Sequence, residues 1–382
     1  MMSFRWLKNG WRMFLRQDWL ALLTAMALIA VGLAFIYSAS WRGEDTGIAG
    51  TWFSKQIIWA MIGGALALML ALVDYRVWIR HAWGLWLVSI ILLVLVLVVG
   101  RKVYGAYRWL DIMGIPVQPS EFAKVALVVL LARILGNPAL PPHSLGLMAL
   151  VIVLSAVPFV LILLEPDLGT ALILFPTVLA MLFVAGMKWR YFFGSALLTA
   201  AAAPLAWFFM LGDYQKERVL TFLQPERDPL GAGWNAIQSA TAVGSGGFAG
   251  KGFLQGVQNV LGFLPRTVSP SDFIFPVIAE ETGFRGSCIL LLLFSLLLFC
   301  YIRTAIRASD VPGSLLATGL AGLLFCHVFV NIGMTIGLLP ITGLPLPLVS
   351  SGGSFMLSTL AAFGLVQSVY VRRKRRETEM IG

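Results

Sequence analysis

Asp272 stands in Ser269-Pro270-Ser271-Asp272-Phe273-Ile274-Phe275, at the mouth of a long apolar run. A carboxylate at such a boundary loses water, and its pKa climbs toward the range useful to a general base. An aspartate after a Pro-Ser stretch is also suited to cap a helix. Glu121 and Lys124 lie three apart in Gln118-Pro119-Ser120-Glu121-Phe122-Ala123-Lys124. They share one helix face, with Ser120 placed as a cap. Ionisable groups in a membrane helix are costly and point to a functional site, unless they snorkel to the interface as a pair. In Glu165-Pro166-Asp167-Leu168-Gly169-Thr170, two carboxylates flank a turn. They could hold a divalent cation or position a sugar, or simply turn the chain and cap a helix. Gly244-Ser245-Gly246-Gly247-Phe248-Ala249-Gly250-Lys251-Gly252 could present N–H groups and one lysine to a pyrophosphate, or be a flexible loop. No strand precedes it, and Gly252 follows Lys251 where a Walker loop needs Ser or Thr, so it is no nucleotide fingerprint. From Gly337 to Ser354, Pro340, Gly343, Pro345, Pro347 and Gly352 break any helix. Broken backbone at membrane depth must line protein or a wet cavity, so this reads as a re-entrant cavity wall, with an ordinary outer loop as the alternative.

The elements that hold these groups are set by the bilayer. The chain is 59% hydrophobic and 12% charged, about half the charge of a soluble domain. Continuous rather than alternating apolar runs select helices over a barrel. About ten spans are expected, at 19–39, 56–73, 82–100, 119–136, 145–165, 168–187, 191–211, 273–302, 312–338 and 353–371. The fold expected is all-α integral membrane, one polytopic domain over 1–382. Arg5, Lys8, Arg12 and Arg16 before the first run resemble a signal peptide, but the run is long enough to span.

The net charge of +10 does not indicate nucleic acid, because the basic residues sit at the ends of apolar runs. Arg76, Arg80, Arg133, Lys188, Arg190, Arg303, Arg307 and the tail Arg372 to Arg376 place both termini in the cytoplasm. The outside then includes 101–118 and one large loop, 212–272, with a short amphipathic helix expected at 235–243. Cys288, Cys300 and Cys326 read as small hydrophobes, and His81, His143 and His327 are scattered singly.

The ordered set of motifs resembles the SEDS family (shape, elongation, division and sporulation). The matching stretches are Tyr107-Arg108-Trp109-Leu110, those around Glu121 and Glu165, Gln238-Ser239, Gly244 to Gly252, Asp272 to Phe275 with Glu280-Glu281, Asn331-Ile332-Gly333-Met334, and Leu339 to Gly353. Asn331 to Gly337 and Pro345-Leu346-Pro347 are closer to its elongation type, RodA, than to its division type, FtsW.

The resemblance implies a peptidoglycan glycosyltransferase that polymerises lipid II at the outer face of a bacterial cytoplasmic membrane. Asp272 matches the family's essential aspartate. A class B penicillin-binding protein is the implied partner, within the rod-shape machinery and surrounded by membrane lipid. For the leaving pyrophosphate the candidates are Arg108, Lys124, Lys251, Arg218 and a divalent cation, magnesium or manganese. Gln238, Ser350 and Ser351 are expected to support the site, and Glu121 and Lys124 to hold its wall or position substrate. A lipid II flippase and a non-catalytic scaffold are the alternatives, although the chain lacks the internal repeat common in transporters. Two departures stand out: Arg266 to Ser271 is longer than the family's stretch before the aspartate, and Phe355 replaces a usual serine.

Overall fold

Apolar segments in lipid must close their backbone hydrogen bonds internally, and helices do so. The protein, seen here as a computed structural model, is described for residues 13–41, 48–103, 106–140, 144–209, 212–228, 231–265 and 268–373. Arg5, Lys8, Arg12, His143, Arg266, Thr267 and the tail from Lys374 lie outside the described residues.

The helices are α1 (Trp19–Ser40), α2 (Ile48–Leu72), α3 (Tyr75–Arg80), α4 (Ala82–Val99), α5 (Pro119–Leu135), α6 (Leu145–Leu164) and α7 (Leu168–Val184). They continue with α8 (Trp189–Phe209), α9 (Asp213–Leu223), α10 (Ala232–Ser245), α11 (Val257–Val260), α12 (Ile274–Arg307), α13 (Val311–Thr335) and α14 (Gly353–Val371). Each expected span coincides with a helix. The second starts earlier, at Ile48, and the eighth runs on to Arg307. Among the described residues α1, α2, α4, α6, α12, α13 and α14 are long and apolar enough to cross a membrane. At 17 residues α7 is apolar but shorter, and α5, also 17 residues, carries Glu121, Lys124 and Arg133. The molecule is a predominantly helical, multi-pass membrane protein.

The stretch after α4 holds a feature not expected from the sequence. Strands β1 (Arg101–Val103), β2 (Ala106–Ile112) and β3 (Ile115–Val117) form an antiparallel meander. Its edge strands are three residues each, too short to show alternation in a sequence. Met113 and Gly114, at φ 55° and 82°, make the two-residue turn between Ile112 and Ile115. Both residues take the left-handed conformation that suits a tight hairpin. Asp111 Oδ1 accepts from Gly114 N at 2.8 Å and fixes the turn. The meander carries Arg108 on β2 and hands the chain directly to α5.

Small residues let the central helices approach closely. A Cβ on Gly364 of α14 would stand 2.5 Å from the Ala67 carbonyl of α2. The Pro-rich segment before α14 is folded into the bundle: Leu344, Leu346, Leu348, Val349 and Ser350 are buried. Val349 presses on Gly32, inside α1, where a Cβ would meet its carbonyl at 2.6 Å. The dense Pro and Gly residues thus fall in a segment buried against the helices rather than in an exposed loop.

α12 is kinked at Gly283, at φ 69° and ψ −162°. The Gly-rich loop after α10 packs into that kink. Phe284 N donates to the Gly247 carbonyl at 2.8 Å, and Lys251 N and Gly252 N donate to the carbonyls of Glu280 and Glu281 at 3.0 Å each. At the basic end, Arg76 pairs with Asp310 at 2.8 Å, Arg372 with Asp74 at 3.3 Å, and Arg303 with Asp18.

Candidate active site

Phe273, not Asp272, occupies the cap position of α12, and no side chain caps that helix. The cap reading of Asp272 is therefore corrected. Its N–H is used in the preceding turn, donating to the Val268 carbonyl at 2.9 Å, and its carboxylate is left for other work. The backbone around it is pinned from several sides. Asn331 Nδ2, from α13, donates to the Asp272 carbonyl at 3.0 Å and to the Leu344 carbonyl at 2.7 Å. Ser350 Oγ donates to the Ser271 carbonyl at 2.5 Å and accepts from Leu346 N at 2.8 Å. Ser351 N donates to the Pro270 carbonyl at 2.8 Å. Ser350 and Ser351 thus act on the loop that carries Asp272, through hydroxyl and backbone contacts.

The Asp272 carboxylate lies against Gly343, where a Cβ would come within 3.2 Å of Oδ2. Burial pushes its pKa up to about 7; a hydrogen bond from Ser271 and the charges of Arg218 and Arg108 pull it down, and Asp167 pushes it up. These neighbours bring together α9, β2 and the start of α7. Arg218 Nη1 donates to the Thr342 carbonyl at 3.0 Å. It also lines a cavity of about 180 Å³ with Thr221, Ala236, Met334 and Leu339. The cavity is mostly apolar, with a cation at its wall. Gln238 lies half-buried on α10, beside Ser239, whose hydroxyl donates to the Thr335 carbonyl at 2.7 Å.

The turn between α6 and α7 faces the same group. Asp167 caps α7, accepting from Thr170 N at 3.2 Å, and also accepts from Gln118 Nε2 at 3.3 Å. Arg108 Nε donates to the Glu165 carbonyl at 3.1 Å, and its other arm to the Pro166 carbonyl. The Glu165 side chain is fully buried, and neither carboxyl oxygen has a hydrogen-bond partner. Burial, then Asp167, pushes its pKa up to about 9, against a smaller pull from Arg108.

Two predicted groups lie elsewhere. Lys251 Nζ pairs with the buried Glu280 at 2.7 Å. The N–H groups of Gly247, Gly250, Lys251 and Gly252 all bond to backbone carbonyls. The loop therefore offers those amides to α12 and its own turns rather than to a phosphate. Glu121 and Lys124 pair at 2.9 Å inside the bundle, both buried, so the snorkelling reading is set aside. Ser120 lies in the first turn with its hydroxyl unpartnered and does not cap α5, whose cap position is Gln118. His327, solitary in the sequence, meets Lys124: Nζ to Nε2 is 2.8 Å. Asn331 and His327 were not singled out as site residues; their spacing of one helical turn on α13 is the signal that joins them.

The FtsW/RodA/SpoVE model, described as cell cycle protein, matches residues 18–375. The peptidoglycan glycosyltransferase MrdB of Escherichia coli K12 is 42% identical over 92% of this chain and 93% of its own. The peptidoglycan glycosyltransferase RodA of Treponema pallidum is 33% identical over 93% and 98%. Among solved structures, a chain of a peptidoglycan synthase complex, described for its coordination of polymerization and crosslinking, matches with a TM-score of 0.81. That chain is 34% identical, and the match covers 94% of this chain and 99% of that one. The Thermus thermophilus rod shape determining protein RodA matches at a TM-score of 0.69 and 30% identity, over 94% and 98%. The chain is a member of the FtsW/RodA/SpoVE family of cell cycle proteins, the SEDS family that its motifs resemble.

Proposed function

We propose that this protein is a peptidoglycan glycosyltransferase that polymerises lipid II into glycan strands during cell elongation, with Asp272 as general base. The activity follows the relatives named peptidoglycan glycosyltransferase MrdB and RodA. The observation that carries the role of Asp272 is its carboxylate, held against Gly343 with a pKa near 7 and flanked by Arg218 and Arg108. A base with that pKa is poised to act at neutral pH.

In the step, Asp272 takes the proton of the acceptor sugar hydroxyl as its oxygen bonds to the donor's anomeric carbon. The bond to undecaprenyl pyrophosphate breaks, and the electron pair leaves with the phosphate oxygen. Arg218 and Arg108 supply positive charge beside that departure. The apolar cavity by Arg218 is suited to the start of the polyprenyl chain. Glu121 and Lys124 are assigned to holding the wall.

A divalent cation, magnesium or manganese, fits the turn at Glu165 and Asp167, because the buried Glu165 carboxyl has no donor on either oxygen. Among the described residues no group of three or more His, Cys, Asp or Glu is arranged as a metal site. Magnesium needs only one or two carboxylates when substrate phosphates complete its shell. Such an ion would supply further charge to the pyrophosphate.

The domain is a single polytopic unit, with 212–272 as its large extracytoplasmic part and both termini in the cytoplasm. This orientation puts Asp272 on the outer side, where glycan strands are made. A class B penicillin-binding protein is the partner, in keeping with the resemblance to a chain of a peptidoglycan synthase complex. The test is purified protein, alone and with that partner, given lipid II and magnesium or manganese, with Asp272→Ala alongside. Polymer from wild type and none from the variant is expected. No polymer from wild type even with partner present would overturn the assignment in favour of a flippase or scaffold.

A further inference from the structure

The Glu121–Lys124 pair does not end on itself. Lys124 Nζ sits between Glu121 Oε2 at 2.9 Å and His327 Nε2 at 2.8 Å. An ammonium has only protons to give, so Nε2 must be the accepting nitrogen and the ring neutral, with its proton on Nδ1. Nδ1 has no hydrogen-bond partner, and the ring lies beside the Pro345 backbone, part of the Pro-rich segment. Phe355 closes the group: its ring centroid lies 5.0 Å from that of His327 and 5.9 Å from Lys124 Nζ. The unusual phenylalanine in the first turn of α14 thus has a partner in this histidine. Together with Tyr301 and Pro347 these residues line a cavity of about 40 Å³, large enough for a water.

His327 and Asn331 stand one turn apart on α13, so both face the Pro-rich segment. Asn331 binds the carbonyls of Leu344 and Asp272. His327 binds Lys124 and adjoins Pro345, the residue after Leu344. We propose that His327 is a positioning residue for the polymerisation reaction: it ties the Glu121–Lys124 pair of α5 to α13 and so sets the register of the segment against which Asp272 is held. The inference rests on the glycosyltransferase reading. A positioning role of this kind touches no substrate; its loss misplaces Asp272 while substrate binding persists.

The acceptor nitrogen makes the role testable. Glutamine places an amide oxygen where Nε2 was, whereas asparagine is too short and reaches only the Nδ1 position. Wild type, His327→Gln and His327→Asn are purified with the penicillin-binding partner and assayed for initial rates over a range of lipid II, with thermal unfolding of each. The Asn variant should lose kcat about 10²-fold, the scale of a displacement of about 1 Å. Its KM should stay within about twofold, while the Gln variant keeps at least about half of wild-type kcat. Should the Asn variant unfold, His327→Leu is compared with Gln in its place. Equal rates in the Gln and the Asn or Leu variants, both high or both low at unchanged unfolding temperature, would overturn the role of the acceptor. An inactive wild type would instead sink the glycosyltransferase reading itself.

Discussion

Two regions of this protein concentrate carboxylates and cations, and they treat them in opposite ways. At the kink of α12, both carboxylates are answered directly. Glu280 accepts from Lys251 Nζ at 2.7 Å and from Gln258 N at 3.0 Å. Glu281 accepts from Leu254 N at 3.1 Å and from the Ser38 hydroxyl, while Asn259 binds the Ser38 carbonyl at 2.8 Å. Around Asp272, Arg218 and Arg108 donate to backbone carbonyls and bear on the carboxylate by their charge, and the buried Glu165 has no donor at all. Directly paired charges hold a structure, whereas a buried carboxyl without a donor, with cations nearby, is ready for substrate. The more conspicuous sequence motif, the Gly-rich loop with its lysine, belongs to the first kind.

The largest expected effect on the reactive side is Asp272→Ala. Polymerisation of lipid II should fall about 10³-fold or more, the range of a lost general base. Unfolding temperature should stay close to wild type, since the cap position of α12 belongs to Phe273. Substantial residual polymer would make the two regions alike. On the structural side the counterpart is Gly283→Ala. A Cβ there would stand 2.3 Å from Gly250 N, at a positive φ that side chains avoid. The strain alone costs about 1–3 kcal/mol, and the clash adds to it. Folded protein in membranes, measured by size exclusion and thermal unfolding, should drop sharply.

The difference between these regions was only partly legible in the chain. The helices were, because composition forces them: Trp19 to Ser40 and Leu145 to Leu164 leave the backbone no partner but itself. The break in helix before Gly353 was too, since Pro345 and Pro347 interrupt helical hydrogen bonding. Asp272 stood out by its place at the mouth of an apolar run, but its freedom from capping did not, because a cap depends on where the helix actually begins. Lys251 read as a phosphate ligand or as part of a flexible loop, because Glu280, which it meets, lies 29 positions away. His327 is one histidine in an apolar run; its meaning appears when α5 packs on α13. The meander that carries Arg108 is too short to announce itself. What local sequence withheld was pairing between distant elements.

Arg218→Met tests whether the reactive side works through fields. The cation lowers the Asp272 pKa from above, so its loss lets that pKa rise beyond about 7. The base form exists only above its pKa. The acid limb of the rate profile should therefore move to higher pH, with a loss of about 10²-fold at neutral pH from the lost charge as well. A uniform loss with an unmoved limb would separate Arg218 from Asp272.

Glu165→Gln should have a smaller, opposite signature in stability. The folded carboxyl keeps its proton to about pH 9, while the unfolded one loses it near its ordinary value of 4.5. The native state binds more protons across that window, so the stability contributed by protonated Glu165 is full below it and lost as pH rises through it. With metal chelated, the Gln variant should unfold a few degrees above wild type at about pH 8, and the gap should close by about pH 5. A gap that is independent of pH would mean Glu165 is ionised in the fold.

The smallest effect on turnover is expected from Lys251→Met. Glu280 keeps the Gln258 N–H but loses its charged partner, a cost of about 1–3 kcal/mol in a buried site. Unfolding temperature should fall, and kcat of the remaining folded enzyme should stay within about threefold of wild type, because no reacting group depends on the lysine. The opposite result, a large loss of kcat at unchanged unfolding temperature, would mean that Lys251 leaves Glu280 when substrate arrives and meets the pyrophosphate. The two regions would then be one site in two states, with the kink at Gly283 as the joint between them.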